Sequence, residues 1–289
     1  MDDDISVIFS DSHFSLPIFL VVCALMFANW GLEALKWQKL VNCSQQISYS
    51  KAVSGVLVGL PLALVTPNRI GEIGGRAIVL EKGYKNAIFA TFLGSLMQLS
   101  STLLFGALGI ILCLAFLPHN QSVELASWIS LVVIFFLVVV LIVCKDKRWL
   151  KVAILHLIGK KFYGKMSRLI QLYQTKDVVR TLFISLLRYC VFSGQFGLLI
   201  KMLIPELSFV EIFVGVTLTY LFTTIIPTSV LGEIGIRGSV AMFIFEAFTP
   251  LVTIIFQISL LIWVINIVAP TLTGSVILLN VRKNKKDVR

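Results

Sequence analysis

Long apolar stretches separated by short polar segments run along most of this chain. The stretches that approach or exceed the roughly 18–20 residues needed for a helix to cross a bilayer lie at 16–37, 86–117, 125–144, 181–204 and 251–279. They lack the regular polar–apolar alternation of membrane β-strands. The pattern therefore predicts an all-α polytopic membrane protein.

Two further apolar stretches are interrupted by polar turns. The stretch at 52–66 holds about 15 residues, or about 22 Å of helix, whereas the hydrocarbon core of a bilayer is roughly 30 Å thick. It ends at Pro67, which lacks a backbone donor, and a glycine-rich turn then leads into a second short arm. The stretch at 209–226 ends in the same way at Pro227, before an arm at 239–248. Each segment predicts a re-entrant helical hairpin.

The same sequence, Gly-Glu-Ile-Gly-x-Arg, occupies both turns, at residues 71–76 and 232–237. A charged side chain at membrane depth costs roughly 2.5–3.5 kcal/mol on insertion scales, so two copies of a doubly charged motif indicate a function. Glycine permits the irregular backbone and close approach that a hairpin tip requires. The predicted tip residues are Pro67, Gly71, Gly74, Gly75, Pro227, Gly232 and Gly235.

The chemistry of the motif favours an anionic ligand. The arm after each turn presents a helix N-terminus, whose free N–H groups attract anions, and arginine adds a planar fork that matches a phosphate or carboxylate. The glutamates are interpreted as proton-titrating groups, as partners of cationic headgroups or as counter-ions of the arginines, and these alternatives stay open. The candidate substrate-binding residues are Arg69, Glu72, Arg76, Arg188, Glu233 and Arg237.

A purely structural interpretation is also open. Glu72–Arg76 and Glu233–Arg237 have the i,i+4 spacing of ion pairs along one helix face. Arg188 lies near the start of its predicted span, so its side chain either reaches the cytoplasmic headgroups or pairs with one of these glutamates or a lipid phosphate. Four amides within spans are predicted to hydrogen-bond between helices, namely Gln98, Gln195, Gln257 and Asn266.

Composition and charge refine the picture. The chain is 57% hydrophobic and 14% charged, whereas a soluble domain is about 25% charged. The net charge of +10 is concentrated at 145–180 and 282–289, which flank spans and carry no nucleic-acid-binding motif, so no nucleic-acid partner is predicted. The positive-inside rule places both segments in the cytoplasm. Glu33, Lys36, Trp37 and Lys39 are predicted to mark the cytoplasmic interface at the end of the first span.

The same rule, applied to each remaining loop together with the number of membrane crossings, orients the whole chain. The loop at 118–124 has no Lys or Arg and is placed outside, as is the acidic N-terminus. This order is consistent only if residues 52–80 enter and leave from the cytoplasm and residues 209–248 enter and leave from the outside. We expect a multi-pass protein of the cell inner (cytoplasmic) membrane with its N-terminus outside and its C-terminus in the cytoplasm.

These assignments predict one integral membrane domain with an inverted-topology repeat, in which each half contains a re-entrant hairpin. Inverted repeats with broken helices that meet near the midplane are an architecture of secondary transporters. The predicted parts are repeat one at about 14–117, a linking span at 125–144, a basic cytoplasmic loop at 145–180 and repeat two at about 181–281.

The sequence carries no pattern for metal binding or for a soluble enzyme site. Five cysteines and three histidines are scattered without metal-ligand spacing, and no nucleophile–base set or phosphate-binding loop occurs. We therefore predict no metal and no cofactor. Whether the chain is an enzyme stays open, and a transporter is favoured over an enzyme.

At the level of family, the chain resembles the lysylphosphatidylglycerol synthase transmembrane-region proteins, also called flippase-like membrane proteins. The resemblance rests on Thr66-Pro67-x-x-x-Gly71-Glu72-x-Gly74-x-Arg76, on Pro227 through Gly232-Glu233-x-Gly235-x-Arg237, and on Lys36-Trp37. Members fused to an aminoacyl-transferase domain are associated with making and flipping aminoacylated phosphatidylglycerol. These 289 residues hold no such domain, so we do not expect synthesis.

The resemblance implies movement or handling of a lipid or lipid-linked intermediate. We expect a lipid flippase or transporter that moves an anionic or lipid-linked headgroup across the cytoplasmic membrane, with a membrane phospholipid or lipid-linked substrate as its partner. Two alternatives stay open: a membrane-embedded enzyme or partner in lipid-linked glycan or lipid modification, and a small-solute or ion antiporter. The oligomeric state is open, with a homo-oligomer as one alternative.

Overall fold

The computed structural model describes residues 15–66, 69–80, 83–116, 171–226 and 232–287, and every regular element among them is helical. The elements, in chain order, are α1 (Leu16–Val41), α2 (Tyr49–Leu64), α3 (Ile70–Ile78), α4 (Tyr84–Phe116), α5 (Thr175–Leu203), α6 (Phe209–Ile225), α7 (Gly232–Phe245), α8 (Val252–Trp263), a π-helical turn (Val264–Val268) and α9 (Ala269–Asp287). The predicted linking span, residues 145–170 of the basic loop, Pro67 and Pro227 lie outside the described residues.

Four helices in the described ranges are long and apolar enough to cross a membrane: α1, α4 up to Ala115, α5, and the continuous helix at Val252–Val281. This confirms a helical, multi-pass membrane protein. The arms of the two predicted hairpins are shorter, with 16 and 9 residues in α2 and α3 and 17 and 14 in α6 and α7. At 1.5 Å per residue the longest arm measures about 26 Å, less than a bilayer core of roughly 30 Å.

Polar caps set several helix starts. Ser208 begins α6 with a capping box, in which the Glu211 N–H donates to Ser208 Oγ and the Ser208 N–H donates to the Glu211 carboxylate. Helix α5 begins at Thr175 rather than at the predicted residue 181, because the Gln174 N–H donates to the Asp177 carboxylate at 2.9 Å. The last residues of the predicted basic loop are therefore helical.

The described helices form two main apolar cores, and each takes residues from both halves of the chain: the first includes Trp263 and Ile267, and the second includes Val22. Trp37 and Leu40 of α1 pack with side chains of α2, α3 and α4 in the first core. Tyr189, Phe196 and Phe245 pack with α6 and α8 in the second. Helices α1 and α5 pack against each other between the two cores, so the halves share a central interface.

Trp37 corrects one prediction from the sequence. Its ring is fully buried, and its Nε1–H donates to the Thr91 hydroxyl of α4 at 2.9 Å, so the ring packs against protein and not against lipid headgroups. The physical reason is that α1 continues to Val41 and packs along α2 and α4 over this turn. Lys39, two residues further on, is exposed as expected.

The first hairpin is closed by glycine at two close approaches. A Cβ on Gly71 would lie 2.1 Å from the Leu62 carbonyl oxygen, and one on Gly75 would lie 2.9 Å from Gly59 Cα. The Gly71 N–H also donates to the Thr66 hydroxyl at 2.7 Å, which connects the end of α2 to the start of α3. Small residues at these positions let α2 and α3 pack backbone to backbone.

We predict that Gly71→Ala destabilises the protein, because the added methyl group collides with backbone that cannot rotate away. Overpacking of this kind costs about 1–3 kcal/mol, which corresponds to a loss of several degrees in Tm. Thermal unfolding in detergent, followed by tryptophan fluorescence, measures the effect. Gly74→Ala is the matched control, since a Cβ at this position would meet nothing within 4 Å, and its Tm is expected to stay within about one degree of wild type. Equal Tm values for the two variants would contradict this packing account.

Candidate functional site

Glu33 of α1 is the centre of a buried ion network. Its carboxylate lies 2.6 Å from Lys36 Nζ, 2.8 Å from Arg76 Nη1 and 3.1 Å from Arg188 Nη1. Glu33 is 4% exposed and Lys36 is 1% exposed. One carboxylate therefore joins α1 to the first hairpin and to the second half of the chain.

The structure buries Glu33 and Lys36 against protein, whereas the sequence analysis expected both to mark the headgroup interface. Both residues lie on the face of α1 that is covered by other helices, and their charges are neutralised by protein rather than by lipid. A signal was present in the sequence, because the cost of charge in an apolar run applies to Glu33 as it does to the repeated motif.

Arg76 links the first motif to this network. One of its nitrogens pairs with Glu72 along α3, which is the i,i+4 contact of the structural interpretation, and another reaches Glu33. We call Glu33, Lys36, Glu72 and Arg76 the inner cluster. It contains two carboxylates and two cations, so its formal charge is balanced.

Arg188 lies about halfway along the 29-residue helix α5. Its guanidinium pairs with Glu33, donates to Gln98 Oε1 at 3.1 Å and lies over the Trp30 ring, 5.5 Å from its centroid. The guanidinium is directed to these protein groups, which agrees with the alternative in which Arg188 pairs with a glutamate and not with the one in which it reaches the headgroups. Its glutamate partner is Glu33 and not Glu72 or Glu233.

The second motif meets the first through Glu233. Its Oε2 accepts a hydrogen bond from Arg69 Nη2 at 3.1 Å, and its other oxygen pairs with Arg237 along α7. Arg237 also lies over the Tyr220 ring, 5.4 Å from its centroid. Arg69 has a left-handed backbone with φ of 56°, which is uncommon for a residue with a side chain and often marks a functional position.

A cavity of about 430 Å³ lies between these groups. Its charged lining consists of Arg69, Arg188, Glu233 and Arg237. Glu72 and Arg76 do not line it, since they belong to the inner cluster behind it. The structure thus brings four of the six candidate binding residues to one cavity, and places the other two where they support Glu33.

The uncharged walls of the cavity are amphipathic. Aromatic surface comes from Trp30, Phe192 and Tyr220, and polar groups come from Asn29, Gln98 and the threonines at positions 102, 223 and 224. An amide and hydroxyl lining offers hydrogen bonds to the polar part of a ligand, whereas the aromatic rings offer apolar contact.

The π-helical turn at Val264–Val268 was not predicted. It places Asn266 against α1, where its carbonyl accepts from Trp30 Nε1 and its side chain accepts from Asn29 Nδ2, both at 2.9 Å. The predicted interhelical role of Asn266 is confirmed, as is that of Gln195, whose amide donates to the Val22 carbonyl at 2.8 Å. Such turns are frequent at functional sites.

The cavity lining is rich in guanidinium groups and poor in carboxylates. Within the described residues, no group of three or more His, Cys, Asp or Glu side chains is placed to hold a metal ion. The arrangement is suited to binding an anion by charge-assisted hydrogen bonds, because arginine matches phosphate oxygens bidentately and retains its charge.

We predict that Glu33→Gln strongly destabilises the protein, because it leaves Lys36, Arg76 and Arg188 short of a buried counter-ion. Breaking a buried pair costs about 3–5 kcal/mol. The readouts are Tm in detergent and the yield of monodisperse protein. Glu246→Gln removes an exposed carboxylate and should leave both readouts unchanged. A Glu33→Gln variant as stable as this control would show that the network contributes little.

The chain was compared with known proteins. The family model described as "Lysylphosphatidylglycerol synthase TM region" matches residues 7–274. No curated protein and no solved structure matches the chain. The matched range includes Glu33, Arg188 and both copies of the motif. The family suggested by the motif is thereby confirmed, and the chain belongs to the lysylphosphatidylglycerol synthase transmembrane-region family.

Proposed function

We propose that the protein is a flippase that moves a lipid with an anionic or lipid-linked headgroup across the cytoplasmic membrane. The observation that carries the proposal is the cavity, where three guanidinium groups and one carboxylate surround a space near the middle of long apolar helices. A charged pocket at that depth is costly unless an anionic ligand uses it. The family, a membrane domain associated with lipid and flippase-type functions, agrees with this role.

The proposed transport cycle uses an inverted repeat. Helix α1 corresponds to α5, the α2–α3 hairpin to α6–α7, and α4 to the helix from α8 to α9. The helix contacts agree with this correspondence. Helix α2 contacts α9, and its counterpart α6 contacts α4, while α1 contacts its own counterpart α5. Reciprocal contacts support two halves related by a pseudo-two-fold axis, as in transporters that alternate access.

The proposed hairpins are re-entrant, one from each side of the membrane. Their arms are all shorter than the bilayer core, and Arg69 and Glu233, which stand at the start of α3 and of α7, contact each other. Two helical hairpins that enter from opposite faces would meet in this way near the midplane.

In the proposed mechanism, the headgroup anion competes with Glu233 for Arg69 and Arg237. The Arg69–Glu233 pair connects the two hairpins. Binding of the anion replaces this contact, which allows one half to rock against the other and exposes the cavity to the opposite side. The acyl chains remain in lipid, since only the headgroup requires polar surroundings.

We predict opposite labelling of two engineered cysteines in a cysteine-free background. Ser208→Cys, at the start of α6, should react from outside with a membrane-impermeant thiol reagent. Asn86→Cys, near the start of α4, should react only after permeabilisation. Reaction of both from outside would mean that the first hairpin crosses the membrane and would contradict the inverted repeat.

We predict that Arg237→Gln slows lipid movement at least tenfold, because one charge-assisted contact to a headgroup is worth about 1.5–3 kcal/mol. The assay uses proteoliposomes with phosphatidic acid or phosphatidylglycerol labelled on an acyl chain, and follows dithionite quenching of the label. Lys39→Gln removes one exposed positive charge from α1 and should retain the wild-type rate. A wild-type rate in a folded Arg237→Gln protein, or no movement of either lipid by wild type, would overturn the proposal.

A further inference from the structure

The charges of the site separate into a balanced part and an unbalanced part. The inner cluster pairs Glu33 and Glu72 with Lys36 and Arg76. The cavity lining sets Arg69, Arg188 and Arg237 against Glu233 alone. Among the described residues of the site, these five cations and three carboxylates leave a formal excess of two positive charges, and both belong to the lining.

The contact between Arg188 and Glu33 does not remove this excess. Glu33 already has Lys36 and Arg76 as partners, so Arg188 shares a charge that is neutralised without it. Arg188 and Arg237 of the lining, like Arg76 of the inner cluster, each retain a buried Nε–H that has no hydrogen-bond partner among the residues the structure describes. These donors and the excess charge call for acceptor oxygens that carry negative charge.

The excess positive charge is also distributed around the cavity. Arg69 and Arg237 flank Glu233, one on each carboxylate oxygen. Arg188 lies over the Phe192 ring and Arg237 over the Tyr220 ring, and the centroids of these two packed rings are 4.8 Å apart. The three guanidinium groups therefore approach the cavity from different elements, and a ligand with charge spread over several oxygens fits this arrangement best.

We propose that the headgroup bound here carries two negative charges on phosphate, as a terminal phosphate monoester or as a diphosphate diester, and is not a singly charged phosphodiester. This rests on the proposed function. A phosphodiester would leave one positive charge of the lining without compensation, which is costly because the Arg188 and Arg237 side chains are only 15% exposed. A phosphate monoester has a second pKa near 6 and is doubly ionised at pH 8, so it balances the lining.

Binding of three short-chain lipids to the purified full chain in detergent at pH 8 tests the proposal. Dioctanoyl phosphatidic acid carries the monoester, dioctanoyl CDP-diacylglycerol carries the diphosphate diester, and dioctanoyl phosphatidylglycerol carries the phosphodiester. The wild-type protein is expected to bind at least one of the first two lipids about tenfold more tightly than phosphatidylglycerol. Whichever of these two lipids binds more tightly identifies the phosphate chemistry that the site prefers. Microscale thermophoresis or native mass spectrometry gives the three Kd values.

Arg69→Gln then tests the charge count, since it lowers the excess from two to one. The preference for the doubly charged lipid should fall to about threefold or less, whereas Lys39→Gln, outside the cavity, should retain the full preference. If Arg69→Gln does not purify as a monodisperse protein, the same lipid preference is measured in Arg237→Gln, which also lowers the excess charge by one.

The outcomes separate this inference from the proposed function. Tighter or equal binding of phosphatidylglycerol by wild type, with its transport intact, would overturn the two-charge assignment and leave the flippase proposal standing. An equal loss of affinity for all three lipids in Arg69→Gln would also overturn it. Failure to bind or move any of the three would reject both.

Discussion

The arrangement of this protein depends on the cost of placing charge inside a membrane. Eight ionised side chains of the inner cluster and the cavity lining lie among long apolar helices, and each contacts a group of opposite charge. Ion pairs between helices compensate this cost, above all the contacts of Glu33 with Arg76 and Arg188. The same contacts fix how α1, the first hairpin and α5 pack, because a guanidinium or carboxylate that moved away would lose this compensation.

The need to compensate buried charge also distinguishes the residues that stabilise helix packing from those that line the cavity. Charges that balance one another, as in the inner cluster, stabilise the contact between α1 and α3 and need no ligand. In the proposed function, the charges on the lining of the cavity that do not balance supply the affinity for a ligand of opposite sign. The repeated motif contributes to both: Arg76 is directed to the inner cluster, whereas its counterpart Arg237 lines the cavity. Equivalent positions in the two copies therefore have different tasks.

Local features were the ones that the sequence predicted well. Helix class, the broken short arms and the Glu72–Arg76 and Glu233–Arg237 pairs follow from hydropathy and from contacts four residues apart. Ion-pair partners that lie on different helices could not be predicted from the sequence, because helix packing decides which face of each helix meets its neighbours. Hence Glu33 was placed at the interface, and its pairing with Arg188 was missed. The cap at Gln174 and Asp177 starts α5 earlier than predicted, which places Arg188 near the middle of its helix rather than near the start, and the π-helical turn beside Asn266 left no recognisable pattern.

The most direct test of the account is a structure of the protein in nanodiscs that contain an anionic phospholipid. The account predicts density for a phosphate group in the cavity, within hydrogen-bond distance of Arg237 and of Arg69 or Arg188, and displacement of Glu233 from at least one arginine. Ordered lipid found only on the outer surface of the helices, with the Arg69–Glu233 pair intact and the cavity filled by water, would contradict it.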